Sequence, residues 1–284
     1  MAPANSAREV NLALAIAIVV VVDAIAVTAM LFVRRRAPEG SFFTDGDRAS
    51  GVFGVLATGF AIFAGFVLFL SFTTYDQSRA GAEEEALVVA QQFETAQLLP
   101  ATTRDRLAGE LVCYARSVVE QEWPKMEDGE IGNSLNPWGV RLFETIRDAD
   151  ATTFRQQTAY AKWLDQTSDR EAARQDRIHG ASGITPLTVW LVLLISAAIV
   201  FAYMLFFADP AEMKRSQAML VGSATTIVVV TLLVIFALDN PYRPGLASIQ
   251  PTAMERTQEI LVEARAAVSD ESPIPCDGVG NPAR

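Results

Sequence analysis

The sequence has little of the chemistry that most catalytic and metal sites need. It contains one histidine, His179, in 284 residues, which excludes a two-histidine haem or a multi-histidine zinc site within one chain. It has no Walker loop, no nucleophile elbow and no Cys-x-x-Cys motif. We therefore expect no enzymatic activity, no metal and no cofactor. The net charge of −10 also argues against nucleic acid as a partner.

Charge is nearly absent from four long apolar stretches, although 51% of the chain is apolar and the mean hydropathy is +0.24. Each stretch has about 20 residues, enough to cross about 30 Å of hydrocarbon as a helix. Buried helices of a soluble protein would need a much larger chain around them. We predict four transmembrane helices, in two hairpins, at residues 12–33, 52–72, 187–207 and 218–238.

The first apolar stretch is distinguished from a secretory signal by the order of its flanking charges. Only Arg8 precedes it, whereas Arg34, Arg35 and Arg36 follow it. A signal peptide has its positive charges first and a small-residue cleavage site afterwards. The order found here predicts an uncleaved membrane anchor with its N-terminus outside the cell.

Between the second and third stretches, about 113 residues have helical patterns and show no strand alternation, so we expect an all-α membrane protein. One helix is predicted from a cap at Thr73 or Thr74 to about Leu99. A second is predicted from about Thr102 to Glu122, where Trp123-Pro124 breaks it. After a loop over residues 127–137, Asn136 caps a long third helix reaching about Ile178.

These patterns divide the chain into a transmembrane hairpin at residues 1–72, a water-exposed helical domain at 73–185, a second hairpin at 186–238 and a tail at 239–284. The domain holds 19 Asp or Glu and 12 Lys or Arg residues. This acidity is typical of a solvated helical surface. It also fits a field that attracts cations and repels anions.

The basic residues of the short loops predict the orientation. The loop at residues 34–51 carries four arginines, and the loop at 208–217 carries Lys214 and Arg215. Both loops join the two helices of a hairpin, so both are expected in the cytoplasm. The N-terminus, the helical domain and the C-terminus then lie outside, in a multi-pass protein of the cell membrane. The three arginines before the third stretch, Arg170, Arg174 and Arg177, argue mildly for the reverse.

Cys113 and Cys276 lie on the same side of the membrane in either orientation. An oxidising compartment would allow them to form a disulfide. The alternative is a buried thiol at Cys113 and an incidental thiol at Cys276.

Asp23 is the one acidic residue inside the predicted spans, which contain no Lys, Arg or His to pair with it. A charge at the centre of a membrane helix costs about 2.5–3.5 kcal/mol on insertion scales, so this side chain should face other helices or water. It could form a proton or cation site, or be a neutral carboxyl bonded to a neighbouring hydroxyl or carbonyl group. Hydroxyl candidates are Thr58, Ser196, Ser223, Thr225, Thr226 and Thr231.

The second span has two chemically different faces. Its small residues, Gly54, Ala57, Thr58, Ala61, Ala64 and Gly65, fall within about 120° of arc at 100° per residue. Phenylalanines at positions 60, 63, 66 and 69 cover most of the remaining circumference. Phe63 and Phe66 are our candidates for a hydrophobic gate, with lipid contact and core packing as the alternative.

Several motifs together resemble the bestrophin-like family of bacterial membrane proteins over nearly the whole chain. The most specific are Glu122-Trp123-Pro124-Lys125-Met126 and Leu238-Asp239-Asn240-Pro241-Tyr242. Further matching residues are Tyr75-Asp76, Ala80, Leu99-Pro100, Arg104, Leu107, Tyr114, Val118-Val119, Arg174, Arg177-Ile178, Ile184-Thr185-Pro186, Trp190, Gly245, Pro251 and Ala253.

The family name rests on an analogy with bestrophins, which are pentameric anion channels with a pore lined by the second helix. The resemblance thus implies an oligomeric channel and a role for Trp123, Pro124, Asp239 and Pro241, which could equally be structural. Bestrophins keep their helical domain in the cytoplasm, unlike the orientation expected here. The acidic balance and Asp23 suit a cation or proton better than an anion.

Two functions fit the sequence: an oligomeric ion channel in the lipid bilayer, or a non-catalytic accessory or scaffold subunit of a larger membrane complex. A channel must form a closed ring of identical subunits, whereas an accessory subunit binds unrelated proteins. A sensor ranks last, because the expected cytoplasmic loops have only about 18 and 10 residues.

Overall fold

The computed structural model describes residues 2–39, 41–130, 135–183, 185–245, 247–268, 270 and 272–283. Over these residues the chain is all-helical, and its nearest approach to a sheet is one isolated bridge between Cys276 and Pro282. The helices are α1 (Ala2–Arg34), α2 (Gly46–Ala96), α3 (Ala101–Ser117), α4 (Trp123–Glu127), α5 (Pro137–Arg147), α6 (Phe154–His179), α7 (Leu187–Leu205), α8 (Lys214–Asp239) and α9 (Thr252–Ala267).

Among the described residues, four helices are long and apolar enough to cross a membrane: α1, α2, α7 and α8. They coincide with the four apolar stretches of the sequence, so the prediction of four apolar helices is confirmed. The apolar part of α1 runs over Leu12–Arg34, and α7 has 19 residues. Most of their side chains stay exposed in the single chain, as expected of helices that meet lipid or another subunit.

The chain divides into two compact units. Unit 1 comprises Met1–Thr73, Ile184–Asp239 and Pro244–Ala247, and contains the apolar helices. Unit 2 comprises Thr74–Gly183, Asn240–Arg243 and Ser248–Arg284, so the C-terminal tail belongs to the same unit as the helical domain.

Within unit 1, two clusters of apolar side chains hold the helices together. Ala26 and Met30 of α1 pack with Val221 of α8. Phe60, Ala64 and Val67 of α2 pack with Leu193 of α7 and Ile235 of α8. Ala26 of α1 and Ala64 of α2 are small residues at these contacts, of the kind that membrane helices use to pack together.

The α2 helix corrects one expectation. The prediction of a separate helix capped by Thr73 or Thr74 is wrong, because α2 continues without interruption for 51 residues. The hydroxyl of Thr73 donates to the carbonyl of Phe69 at 2.9 Å, a bond made inside a helix rather than at its start. Between Gly65 and Gly81 the sequence offers neither glycine nor proline to end the helix.

The helix after Pro100 ends differently from expectation. Trp123-Pro124 does not break it: α3 passes into a π-helical segment at Val118–Glu122 and then into α4. Proline lacks an N–H, and the wider π turn accommodates that missing hydrogen bond without ending the helix.

A single long helix from Asn136 to Ile178 is also wrong, since α5 ends at Arg147 and α6 begins at Phe154. The cap itself is confirmed, because Asn136 accepts from the backbone of Trp138 and Gly139. Thr153 and Gln156 form a capping box at the start of α6. That Thr-x-x-Gln pattern was a readable start signal in the sequence.

The core of unit 2 is one continuous apolar cluster. It joins α2, α3, α5 and α6 with α9, a tail helix that sequence reasoning did not anticipate. Fully buried members include Leu107, Leu111, Trp138 and Trp163, and Met254 and Leu261 bring α9 onto the cluster. Residues 131–134 of the predicted loop lie outside the described residues.

Candidate functional site

One face of α2 in unit 1 carries large apolar side chains that are mostly exposed in the single chain. Val55, Ile62, Phe66 and Phe69 are 73%, 69%, 61% and 63% exposed. At 100° per residue they lie within about 60° of arc. The buried residues of the cluster with α7 and α8 occupy the opposite side of the helix. We call Val55, Ile62, Phe66 and Phe69 the α2 stripe.

The two gate candidates occupy different positions. Phe66 belongs to the α2 stripe, whereas Phe63 is partly buried and packs against the cluster that α2 forms with α7 and α8. The structure therefore does not bring both rings to one surface of the chain. The sequence could not tell these two positions apart, because residues three apart on a helix lie only about 60° from each other around its axis.

Asp23 of α1 bonds to α8. The Oγ1 hydroxyl of Thr226 lies 2.6 Å from Asp23 Oδ2 and 2.9 Å from the Gly222 carbonyl oxygen. A hydroxyl has one hydrogen and can satisfy only one of these acceptors. Asp23 Oδ1 is buried and has no hydrogen-bond partner among the described residues.

A buried ion cluster occupies unit 2. Arg177 of α6 is fully buried between two carboxylates from other elements. Its guanidinium donates to both oxygens of Glu85 on α2, and its Nη2 donates to Glu122 Oε2 at 2.5 Å. Gly81 makes the pairing possible, because a Cβ there would lie 2.6 Å from the Arg177 backbone nitrogen. With no side chain at this position, α2 and α6 approach closely enough for Glu85 and Arg177 to meet.

The remaining acceptors of the two carboxylates are also filled. Tyr114 donates its hydroxyl to Glu85 Oε1 at 2.6 Å. Glu122 Oε1 accepts from Arg174 Nη2 at 3.0 Å and from Asn136 Nδ2 at 2.9 Å. Four elements of unit 2 thus converge on one charge cluster, whose members satisfy one another as buried charges must.

The pKa values of this cluster follow from burial and charge. Burial alone would raise the pKa of Glu122, but the charges of Arg177 and Arg174 and their hydrogen bonds bring it below its usual range. Burial opposes the charge of Arg177, yet Glu85 and Glu122 raise its pKa. Burial, with the nearby Glu85 carboxylate, raises the pKa of Tyr114 well above its usual range. Glu122 and Arg177 therefore stay charged, and Tyr114 stays neutral, at neutral pH.

Trp123, singled out by the family resemblance, lies beside this cluster. Arg177 sits 5.6 Å from the centroid of its ring, and the ring of Tyr242 meets it edge-on at 5.5 Å. The indole Nε1 donates to the Ile249 carbonyl at 3.4 Å. Tyr242 donates its hydroxyl to the Arg177 carbonyl at 2.5 Å. Pro124 follows within α4 as the residue that the π-helical segment accommodates.

Asp239 and Pro241, the other residues singled out by the family resemblance, belong to different units. Within unit 1, Asp239 Oδ1 accepts from the Thr185 backbone at 2.8 Å, and Oδ2 accepts from Trp190 Nε1 at 3.4 Å. These bonds anchor the start of α7 to the end of α8. Within unit 2, the carbonyl of Pro241 accepts from the Ile249 backbone at 2.8 Å.

Cys113 of α3 and Cys276 of the tail are joined by a disulfide, with their Cα atoms 5.8 Å apart. The tail is held further by Trp138 Nε1, which donates to the Gly280 carbonyl at 2.6 Å. Gln121 Nε2 donates to the Val279 carbonyl at 2.7 Å. Three contacts thus fix the last residues of the chain onto unit 2.

No group of three or more His, Cys, Asp or Glu residues that could hold a metal occurs in the part of the chain that the structure describes. His179 is exposed at the end of α6.

Sequence reasoning missed the buried ion cluster. Arg170, Arg174 and Arg177 were considered only for the orientation in the membrane, and Glu85 only among the 19 acidic residues of a solvated helical surface. The available signal was the i, i+4, i+7 spacing of the three arginines on α6, which places them on the same face as the buried Trp163 and Gln166.

Comparison with protein families matches residues 17–254 to the Bestrophin-like domain. The fold is also similar to that of a bacterial bestrophin homologue from Klebsiella pneumoniae. That structure has a TM-score of 0.66 and 15% identity, over 90% of this chain and 98% of the homologue. A variant of the same homologue gives a TM-score of 0.65 at 15% identity, over 89% of this chain and 98% of its own. A comparison with curated proteins finds no match.

Four apolar helices and this shared fold define a multi-pass membrane protein. Because the family model covers most of its length, the chain belongs to the bestrophin-like family. The resemblance found in the sequence motifs is thereby confirmed.

Proposed function

We propose that the chain forms a homo-oligomeric ion channel in which α2 lines the pore. The α2 stripe is the observation that carries this proposal: four large apolar side chains share one exposed face, opposite the face that packs on α7 and α8. In a ring of identical subunits such stripes meet around a common axis. Rings of apolar side chains make a constriction that gates by excluding water.

Phe66 and Phe69 are the proposed gate. They are the largest side chains of the α2 stripe, and both are more than half exposed in the single chain. Phe63 is proposed to support α2 from behind, through its packing on the cluster with α7 and α8. Asp23 is proposed to tie α1 to α8 through Thr226 rather than to line the pore.

A cation or proton is the proposed permeant species. Unit 2 contributes exposed carboxylates, among them Asp76 and Glu84. Carboxylates repeated around a ring attract cations and exclude anions. The net charge of −10 per chain supports the same preference.

The proposed orientation places both termini and the helical domain outside the cytoplasm. Exposed basic residues in the short loops of unit 1, Arg35, Arg36, Arg48, Lys214 and Arg215, favour a cytoplasmic position for those loops. The disulfide of unit 2 favours an oxidising compartment for the tail. An alkaline phosphatase fused after residue 284 should be active, and a fluorescent protein that folds only in the cytoplasm should be dark there. The opposite pattern would reverse the orientation.

Particle imaging of the native detergent complex, followed by ion flux in liposomes, tests the channel proposal. We expect a closed symmetric ring of this chain and flux of K⁺ exceeding that of Cl⁻. A heteromeric particle without flux would instead favour the accessory-subunit function. A ring that passes Cl⁻ in preference to K⁺ would retain the channel and overturn the proposed ion.

A further inference from the structure

A cleft of about 620 Å³ lies within unit 2, and its lining residues are different from those of the buried ion cluster. It is formed by the first turns of α3, the exposed side of α5 and the segment that follows α9. Its volume falls in the range of small-molecule sites, about 300–1,000 Å³. Residues important to its chemistry are Arg106, Glu110, Arg141, Glu144, Pro273 and Pro275.

Glu110 is the buried carboxylate of this cleft, with only 3% of its surface exposed. Its Oε1 accepts from the Thr145 hydroxyl at 2.9 Å, and Arg106 Nε lies 3.7 Å from the same oxygen. Its Oε2 is buried without a hydrogen-bond partner among the described residues. Leaving such an acceptor unpaired costs about 1–3 kcal/mol. A ligand that donates to this oxygen would remove that cost.

Two arginines lie at the opening of the cleft. The side chain of Arg106 is 67% exposed. Arg141 is exposed, and its guanidinium sits 4.8 Å from the centroid of the buried Trp138 ring. This contact positions one face of the guanidinium and leaves its N–H donors available, because a cation over a ring uses no hydrogen bond. The cleft thus presents N–H donors that can bind an anion, next to the buried acceptor oxygen of Glu110.

The segment that follows α9 forms a rigid wall of the cleft. Pro273 and Pro275 precede Cys276, which is bonded to Cys113 of α3. Gly109 allows the wall to lie close to α3, since a Cβ there would lie only 3.0 Å from Pro275 Cδ. Prolines fix their own backbone angles, so this wall is preorganised for binding.

We propose that the cleft binds a small zwitterion of the amino-acid class, an amino acid or a dipeptide. Its ammonium group bonds to Glu110, and its carboxylate bonds to Arg106 and Arg141. A ligand with a single charge would satisfy only one of the two sides. A zwitterion satisfies both, and the proline wall contacts its side chain.

Calorimetric titration of the purified full-length protein in detergent with L-alanine and L-alanyl-L-alanine tests the proposal. Two analogues are matched controls: N-acetyl-L-alanine lacks the ammonium group, and L-alaninamide lacks the carboxylate. We expect saturable binding of at least one zwitterion and at least tenfold weaker binding of both analogues. Absence of saturable binding by either zwitterion, or equal binding of the analogues, would overturn the proposal.

Variants then locate the binding site. Glu110→Gln and Arg141→Gln should each weaken binding of the zwitterion at least tenfold, while Arg155→Gln, which changes an exposed arginine of α6, should leave it unchanged. Arg141 is exposed, so its variant keeps the test decisive if Glu110→Gln fails to fold. Normal binding by Arg141→Gln would rule out this site.

The pH profile gives a readout that a structural role would not move. Burial raises the pKa of Glu110 to about 6, against the lowering effects of the Thr145 hydrogen bond, Arg106 and Arg141, with Glu144 adding to the rise. Protonation removes the charge that holds the ammonium group. Binding by the natural sequence should weaken as the pH falls through about 6, and a flat profile would contradict the assignment.

Discussion

Arg177 and Glu85 form a fully buried ion pair between positions 92 residues apart in the chain. The pair joins α6 to α2. The same guanidinium also donates to Glu122, which connects the π-helical segment to α6. Removing one partner of a buried pair leaves an uncompensated charge in a medium of low polarity.

Glu85→Gln and Arg177→Met should therefore each destabilise the protein strongly, by about 3–5 kcal/mol. Thermal unfolding in detergent measures the effect. The matched control is Arg79→Gln, which removes the exposed Arg79–Glu83 pair on the same helix. Exposed pairs contribute little, so the control should keep the unfolding temperature of the natural sequence. Equal unfolding temperatures for all three variants would refute a structural role for the pair.

Cys113→Ala should destabilise unit 2 and loosen the attachment of the last residues of the chain. The disulfide closes a loop of 163 residues, and loss of a native disulfide typically costs about 2–5 kcal/mol. Mass mapping without reductant should recover Cys113 and Cys276 in one linked peptide. Recovery of two free thiols from freshly purified protein would exclude the bond. Cys276→Ala should give the same loss of stability, because the bond needs both residues.

Phe66→Thr should increase ion flux. It places hydroxyl groups in the proposed constriction, where apolar side chains from each subunit exclude water. Phe63→Thr is the matched control on the same helix. It should lower the unfolding temperature, since Phe63 packs on the cluster with α7 and α8, and should leave the flux per folded complex unchanged. A larger gain of flux from Phe63→Thr than from Phe66→Thr would place the wrong face of α2 in the pore.

Asp23→Asn should preserve assembly and flux. An amide at this position donates a hydrogen to the Thr226 hydroxyl, which then donates to the Gly222 carbonyl, so both contacts survive. Asp23→Val removes the bond to α8 and should lower the unfolding temperature. Loss of flux in Asp23→Asn with an intact complex would instead make this carboxyl part of the ion pathway.

Glu110 should make stability depend on pH in the absence of ligand. Its pKa in the folded state is about 6, above the ordinary 4.5, so the folded state binds the proton more tightly than the unfolded state. The stability from this group is fully present below pH 4.5 and is lost as the pH rises through about 6. Over that interval the change is about 1–2 kcal/mol.

Glu110→Gln removes this dependence. The difference in unfolding free energy between the natural sequence and the variant should change in favour of the variant from pH 4.5 to 7.5. Urea unfolding in detergent at several pH values measures it. A constant difference across that range would show that the buried carboxylate does not titrate there.

The four apolar helices could be predicted because each is a local property of the chain: about 20 residues without charge suffice to define a membrane helix. Caps such as Asn136 are equally local. The continuation of α2 past Thr73 and the passage of α3 through Trp123-Pro124 were mispredicted. Threonine and proline permit both a helix end and a helix interior there, and the packing around them decides between the two.

Composition and periodicity by themselves determined that this is a membrane protein. Four long apolar helices are costly to expose to water and are stable in the lipid bilayer. Only the tertiary structure decided which charges are buried. Glu85 and Glu84 are neighbours in one acidic run, yet one is fully buried against Arg177 and the other is exposed. That difference depends on the close approach of α2 and α6 at Gly81, a contact between residues far apart in the chain.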